Sequence, residues 1–268
     1  HDSRYSWARL AISLAIRVVG AIGMWAVIVV LPAMQDDFGI SRAAATVPYI
    51  FCMAGFAAGN FLLGRAVDRW GITPVLAASA VAQAIGFALA AVTPSLVVVS
   101  ALHVLLGLGA AASFAPLIAD VSQWFLRRRG IAVAIAASGN YLAGTVWPTP
   151  IAWVMTENGW QGAYLNLAVI ILIVVLPGAF LLRRQIAAAS TDRATSAAAD
   201  KAASLRMHPR TLQILLALAG IGCCTAMSMP QVHIVALCID RGFGPQAGAE
   251  MLRLMLAGGV ASRLFFGA

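Results

Sequence analysis

The stretch GNFLLGRAVDRWGITP, residues 59–74, places Arg65, Asp68 and Arg69 between two apolar runs. The chain has 268 residues, of which 61% are hydrophobic and only 10% charged. A soluble domain carries about 25% charged residues, so three charges together here need a reason. Working outward from them, apolar runs fall near residues 10–34, 43–64, 72–93, 96–118, 130–154, 162–182, 211–236 and 247–268. At about 1.5 Å of helix rise per residue, each can cross a hydrocarbon core of about 30 Å. Only helices and closed barrels satisfy their backbone groups in lipid, and uninterrupted apolarity rather than alternation excludes the barrel. The expectation is an all-α membrane protein with eight transmembrane helices.

Composition excludes other classes. A net charge of +8 invites a nucleic-acid partner, but such binding needs clustered cations on a polar, soluble surface, so none is expected. Cys52, Cys223, Cys224 and Cys238 all lie inside apolar runs without a CxxC pair, which reads as buried, reduced thiols rather than a metal site. The first apolar run is too long for the core of a signal peptide and reads as a retained helix. The chain starts with His1 rather than methionine and stops at Gly267-Ala268 within an apolar run, so a fragment of a longer protein is expected.

The cations give an orientation. With the N-terminus inside, the cytoplasmic segments hold Arg4, Arg9, Arg65, Arg69, Arg127, Arg128, Arg129, Arg183, Arg184, Arg193, Lys201, Arg206 and Arg210, thirteen of the eighteen basic residues. The opposite connections hold only Arg42 and Arg241. This asymmetry places the N-terminus in the cytoplasm, in a cell (inner or plasma) membrane.

The longest connection, residues 183–210, is polar and rich in Ala and Ser. It divides the chain into a six-helix bundle (1–182), a cytoplasmic linker (183–210) with some helix of its own, and the start of a second bundle (211–268). An offset of 203 residues maps Asp37 on Asp240, Gly39 on Gly242, Gly55 on Gly258 and Gly64 on Gly267. Parallel repeats of this kind are built into many transporters.

Gly64-Arg65-Ala66-Val67-Asp68-Arg69-Trp70-Gly71 resembles the loop 2–3 motif of the major facilitator superfamily, with Ala66 for the usual Leu and Ile72-Thr73 for the usual basic pair. The junction WFLRRRGIAVAIAASG, with Trp124, Phe125, Arg128, Arg129, Gly130, Ala132, Ser138 and Gly139, is similar to that of the monocarboxylate transporter and oxalate/formate antiporter branch. GWQGAY, Gly159 to Tyr164, resembles the start of that branch's sixth helix, with Gln161 where Arg is usual. The resemblance implies the major facilitator fold, with a six-helix N-terminal bundle and the first two helices of a C-terminal one. It also implies gating roles for Gly64, Asp68, Arg69, Gly71, Arg128 and Arg129. A carboxylate at a helix–loop junction can pair with a cation or a helix N-terminus in one state and release it in another.

Ionised side chains inside a bilayer face a cavity, pair with a partner or snorkel. Arg263, about 17 residues into the last run, is beyond snorkelling range, and the resemblance implies that it binds a substrate carboxylate through its bidentate fork. Family members in the animal branch carry Asp one turn earlier, where this chain has Gly259. Arg17 either snorkels to the cytoplasmic end or faces a cavity. His103 occupies the place of an Arg found before G-x-G in many proton-coupled members, and is either titratable or a satisfied packing residue. Together with Asp240, Arg17 and His103 are the candidates for proton coupling. His233, implied to line the cavity, and Asn140 and Tyr141 complete the substrate-binding candidates, each with packing as the alternative.

The implied activity is secondary transport of a small organic anion, a monocarboxylate above all, by alternating access with protons or a counter-anion. The alternatives are a sugar or drug porter of the same fold and a receptor or scaffold that has lost transport. No catalytic dyad, metal-ligand spacing or cofactor motif is legible, so neither an enzyme nor a bound cofactor is expected. Asp68→Asn keeps shape and removes charge. Flux should fall while membrane insertion and substrate binding persist, and unchanged flux would make Asp68 an ordinary turn residue.

Overall fold

The computed structural model describes residues 2–184 and 208–267. Within them the chain is helical, without strands. Most of the linker, with the helix expected there, lies outside the described residues. The first span is α1 (Arg4–Gly20) and α2 (Ile22–Asp37), interrupted at Ala21; the second is α3 (Arg42–Ala45) and α4 (Val47–Trp70). The third is α5 (Ile72–Val92), and the fourth is α6 (Leu96–Ala112) and α7 (Ala115–Trp124). Then follow α8 (Arg129–Val146), α9 (Pro148–Leu181), α10 (Pro209–Asp240) and α11 (Gly244–Gly267).

Six segments are long and apolar enough to cross a membrane: Arg4–Asp37, Arg42–Trp70, Ile72–Val92, Leu96–Trp124, Arg129–Leu181 and Arg210–Asp240. The fifth, at 53 residues, would be about 80 Å long as one helix, far beyond a core of about 30 Å. Gly159, with φ 67° and ψ 179°, breaks it in a conformation that only glycine adopts readily. Two of the expected spans therefore share this segment. The eighth expected span forms a helix, α11, but Glu250, Arg253 and Arg263 leave it outside the strongly apolar set.

Small residues bring the spans together. α4 packs along α6, and a Cβ on Gly107 would overlap the Cys52 carbonyl oxygen, as one on Gly55 would overlap that of Val104. In lipid, close contact of this kind replaces the hydrophobic drive between helices. α5 packs on α9, α1 on α8, and α11 on α8. The main core joins Ile16, Phe87, Leu106, Tyr164 and Ile171. A second cluster joins Trp25, Ile28 and Tyr141 to Val235, Leu252 and Leu256 of α10 and α11. Large apolar side chains such as Phe61, Val97, Ile173 and Phe180 are exposed on the outside, as the face of a membrane protein must be.

The repeat read in the sequence has a structural counterpart. At the end of α2, the N–H groups of Phe38, Gly39 and Ile40 donate to the carbonyls of Met34, Asp36 and Gln35 at 3.0, 3.3 and 3.1 Å. At the end of α10, those of Arg241, Gly242 and Phe243 donate to Leu237, Ile239 and Cys238 at 3.1, 2.9 and 2.9 Å. Each donor and acceptor is shifted by 203 residues. Gly39 and Gly242 both take positive φ, 60° and 80°, which closes the same helix-ending turn.

Gly107→Ala should lower the melting temperature of the detergent-solubilised protein, since overpacking a close contact costs about 1–3 kcal/mol. Gly220→Ala, in α10 where nothing lies within 4 Å of the added methyl, should leave it unchanged or slightly raised.

Candidate functional site

The first and fourth spans are both interrupted part-way through. Around Ala21, the Trp147 indole donates to the Val18 carbonyl at 2.8 Å and the Gln83 amide to the Gly20 carbonyl at 3.1 Å. In the fourth span, Phe114 leaves helical geometry at φ −99° and ψ −93° before Pro116, a residue with no N–H to continue the ladder. Arg17 answers this second break, donating from Nη1 to the Phe114 carbonyl at 2.7 Å and to that of Ser113 at 3.3 Å. Its guanidinium lies 4.4 Å over the Phe114 ring.

Arg17 does not snorkel. Helix α1 starts at Arg4, six residues before the expected run, which puts Arg17 about 20 Å along the helix. The residue is 1% exposed. Its stem crosses α8 at Gly139, where a Cβ would lie 3.0 Å from Arg17 Cβ and Cδ. Nε and Nη2 have no hydrogen-bond partner among the described residues, and neither has the buried Oδ1 of Asn140.

Arg263 reaches the same helix from the other half. Its Nη1 donates to the Ala137 carbonyl at 3.1 Å and its Nη2 to the Tyr141 hydroxyl at 3.4 Å, with the guanidinium 4.3 Å over the Tyr141 ring. Ala137 and Tyr141 lie about 12–18 Å along α8 from Arg129, near the middle of a hydrocarbon core. The Tyr141 hydroxyl donates to Met227 Sδ at 3.2 Å, and the Asn140 backbone carbonyl accepts from the Trp25 indole at 3.0 Å. The described carboxylates, Asp2, Asp36, Asp37, Asp68, Asp120, Glu157, Asp240 and Glu250, all lie near the ends of spans.

Of the sequence candidates, Arg263, Tyr141 and Asn140 thus gather on one side of α8, Arg17 meets the same helix on its other side at Gly139, and three others do not join them. His233 is exposed on the face of α10 shared with Met229 and Leu237. His103 is fully buried against the sixth span, with Nδ1 2.7 Å from the Val99 carbonyl and Nε2 3.0 Å from the Tyr164 hydroxyl. Asp240 sits at the far end of α10 in a bidentate ion pair with Arg42, at 2.5 and 2.6 Å. This pair joins the two halves beside the apolar cluster of Trp25, Val235 and Leu252. The repeat-related Asp37 instead accepts from Trp160 and Gln161 of its own half, both at 3.0 Å.

The basic end is arranged differently. Gly64, Asp68, Gly71, Arg9, Asp120, Thr73, Arg183 and Arg184 are among the residues lining a cavity of about 480 Å³. Gly71, at φ 84°, ends α4 and donates to the Val67 carbonyl at 2.8 Å. The exposed Asp68 has no ion-pair partner among the described residues. Arg65 folds back over Phe61 at 4.3 Å, and Arg69 lies 5.7 Å from the Trp70 ring.

The junction of the fourth and fifth spans is an anchor at the same end. The backbone N–H groups of Leu126, Arg127 and Arg128 each donate to the Asp2 carboxylate at 3.2 Å. Burial alone would raise the pKa of Asp2; the three amides outweigh it and hold the carboxyl below its usual range. Trp124 and Phe125 are buried against Tyr5, Trp7 and Leu10. Arg129 donates to the Ser122 hydroxyl at 3.4 Å. Sequence reasoning missed the buried pair beneath, where Arg9 Nε and Nη2 each meet an Asp120 oxygen at 2.7 Å. The only available signal was a lone acid near the end of an apolar run.

The Major Facilitator Superfamily pattern matches residues 14–268, and the chain belongs to that family. It is 27% identical to Monocarboxylate transporter 11 of Homo sapiens over 99% of this chain and 56% of that protein. To Monocarboxylate transporter 13 of Bos taurus it is 29% identical, over 93% of this chain and 63% of that protein. A Fujikurins efflux protein of Gibberella fujikuroi is 29% identical over 49% of this chain and 28% of its own length. The chain thus spans somewhat more than half the length of the two monocarboxylate transporters.

Removing the charge that joins the halves should loosen the end it closes. In a variant retaining only the buried Cys238, Asp240→Asn should speed labelling by a membrane-impermeant thiol reagent several-fold. The swap Arg42→Asp with Asp240→Arg should return the rate toward its starting value. Equal rates throughout would show that the apolar cluster alone closes this end.

Proposed function

We propose that the protein is a secondary transporter for a small organic anion bearing a carboxylate, with protons or a counter-anion supplying the driving force. The carrying observation is Arg263, a guanidinium between the two halves, near mid-membrane, without a carboxylate partner among the described residues. A charge so placed costs about 2.5–3.5 kcal/mol on insertion scales, and a carboxylate ligand would offset it through two parallel hydrogen bonds. Tyr141 holds the ring plane beneath the guanidinium, and the free Oδ1 of Asn140 offers a neighbouring acceptor. The printed names of the two mammalian relatives point toward monocarboxylates.

Alternating access supplies the cycle. The far end is held by the Arg42–Asp240 pair and the cluster around Trp25, whereas Asp68 at the basic end is unlatched. These two observations support a state open toward the basic end, the end that the excess of cations favours as cytoplasmic. Asp68, Arg69 and the Gly64 and Gly71 that frame them would then engage when that end closes, with Arg128 and Arg129 holding the neighbouring junction. The second reading, a porter for a neutral or drug-like solute, is favoured by the similarity to the fungal efflux protein.

Uptake of labelled lactate, pyruvate, formate and oxalate into proteoliposomes holding the full-length protein, with and without a pH gradient, tests the reading. Arg263→Lys keeps the charge and loses the fork, at a cost of about 1.5–3 kcal/mol for a charge-assisted bond. Affinity should fall roughly ten- to hundredfold, and further for Arg263→Gln. Equal binding of a carboxylate and its uncharged amide by the native protein would favour the neutral-solute porter.

A further inference from the structure

Two cavities adjoin at the basic end, and their linings differ. The first, of about 480 Å³, is lined by Arg183, Arg184, Thr73 and Gln123 together with the carboxylates of Asp68 and Asp120. Asp120 is already neutralised by Arg9 in the buried bidentate pair, which leaves two arginines against the single exposed carboxylate of Asp68. Arg184 lies 4.8 Å over the Tyr5 ring, and Arg183 makes no ion pair among the described residues. Helix α5 also begins at this cavity, preceded by Gly71, which has no side chain to cap its first amides. The positive end of the helix dipole therefore adds to the two cations.

The second cavity, also of about 480 Å³, is an apolar groove lined by Leu63, Ala66, Ala78, Ser79, Ala82 and Gly109, and it shares Trp70 and Pro74 with the first. α4 packs chiefly along α6 and α5 chiefly on α9, so α4 and α5 touch each other little, and the small side chains between them leave the gap unfilled. Pro74 and Ala78 belong to an exposed stripe of α5 that continues through Val81, Ile85 and Leu89, so the groove opens on the outer, apolar surface. At Gly55 and Gly107 small residues admit a second backbone; here they border open space instead. Hydrocarbon fills such a groove, because an empty one forfeits the dispersion contacts of its walls.

We propose that the two cavities together bind one anionic glycerophospholipid of the leaflet at the basic end. Arg183, Arg184 and the first amides of α5 hold its phosphate, and one acyl chain lies in the groove between α4 and α5. Trp70 stands where the two parts join, at the headgroup level that a tryptophan ring favours. A free phosphate would use the first cavity alone, and the continuity with the groove favours the lipid. The excess of cations over the one uncompensated carboxylate favours an anionic headgroup, and Asp68 weakens its binding by repulsion. Neither cavity is lined by Arg263, Asn140 or Tyr141, so this site is separate from the one proposed for the substrate.

The experiment titrates the full-length protein in detergent with phosphatidylglycerol, phosphatidylcholine and phosphatidylethanolamine of identical acyl chains, and with glycerol phosphate as a headgroup without tails. Native mass spectrometry counts the bound molecules. Each arginine near a membrane surface strengthens the hold on an anionic lipid about fivefold, so phosphatidylglycerol should bind at least that much more tightly than phosphatidylcholine. Arg183→Gln with Arg184→Gln should bring the ratio close to one, and Asp68→Asn should raise it. Ala78→Phe, which fills the groove from an exposed position, should weaken both lipids. Arg65→Gln with Arg127→Gln, removing cations of the same end that line neither cavity, should leave the ratio unchanged. Equal native affinities, or a tighter hold on phosphatidylethanolamine, overturn the proposal whether or not any variant folds. A ratio lost equally in the Arg65 and Arg127 variant overturns it in favour of diffuse attraction to the basic end. Glycerol phosphate bound as tightly as the lipid, or no effect of Ala78→Phe, overturns it in favour of a free-phosphate site.

Discussion

A hydrocarbon interior contains no water to satisfy a carbonyl that its own helix leaves short of partners, and the first and fourth spans are both interrupted near their middles. The positions of the surrounding side chains follow from that constraint. Trp147 and Gln83 donate to carbonyls on the first span, fastening it to the fifth and third. Arg17 donates to carbonyls on the fourth, which pins that break to the first span and holds a permanent cation inside the bundle. The breaks make the interior irregular, and one of the donors that meets them is a charged side chain.

Glycine acts at a second level. Along α4 and α6, Gly55 and Gly107 let two backbones approach until a methyl group would collide with a carbonyl oxygen. At α8, Gly139 admits the stem of an arginine instead of a second helix. The same absence of a side chain thus produces a rigid seam in one place and a niche in the other. What distinguishes them is the neighbour, an α6 backbone in the first case and a long polar side chain in the second.

Much of the fold was legible because lipid imposes a simple rule on composition. The apolar runs, the helix end at Gly71 and the repeated turns at Gly39 and Gly242 all follow from local chemistry that a single sequence displays. Arg263 and Tyr141 were nominated separately, and the structure brings them together. Arg17 was left between snorkelling and a cavity because the turn from Arg4 to Arg9 looks like loop until Trp7 and Leu10 are seen packed under Trp124 and Phe125. His103, His233 and Asp240 could not be sorted from one another, since the face a polar residue presents depends on neighbours that are distant in sequence. Arg42 and Asp240, separated by 198 residues, show the limit plainly: each is an ordinary helix-end charge until the two halves meet.

The two bidentate pairs differ in their surroundings, with consequences for how the protein responds to its medium. Arg9 and Asp120 are shielded, at 2% and 15% side-chain exposure, whereas Arg42 and Asp240 are nearly half open, at 45% and 43%. Mobile ions reach the second pair and not the first, and an exposed ion pair weakens as salt rises. Dissolved salt on the far side of the membrane therefore weakens the seam between the halves while leaving the six-helix bundle as stiff as before. The electrolyte bathing that face becomes a variable that sets how firmly the ends of the second and seventh spans are held together there.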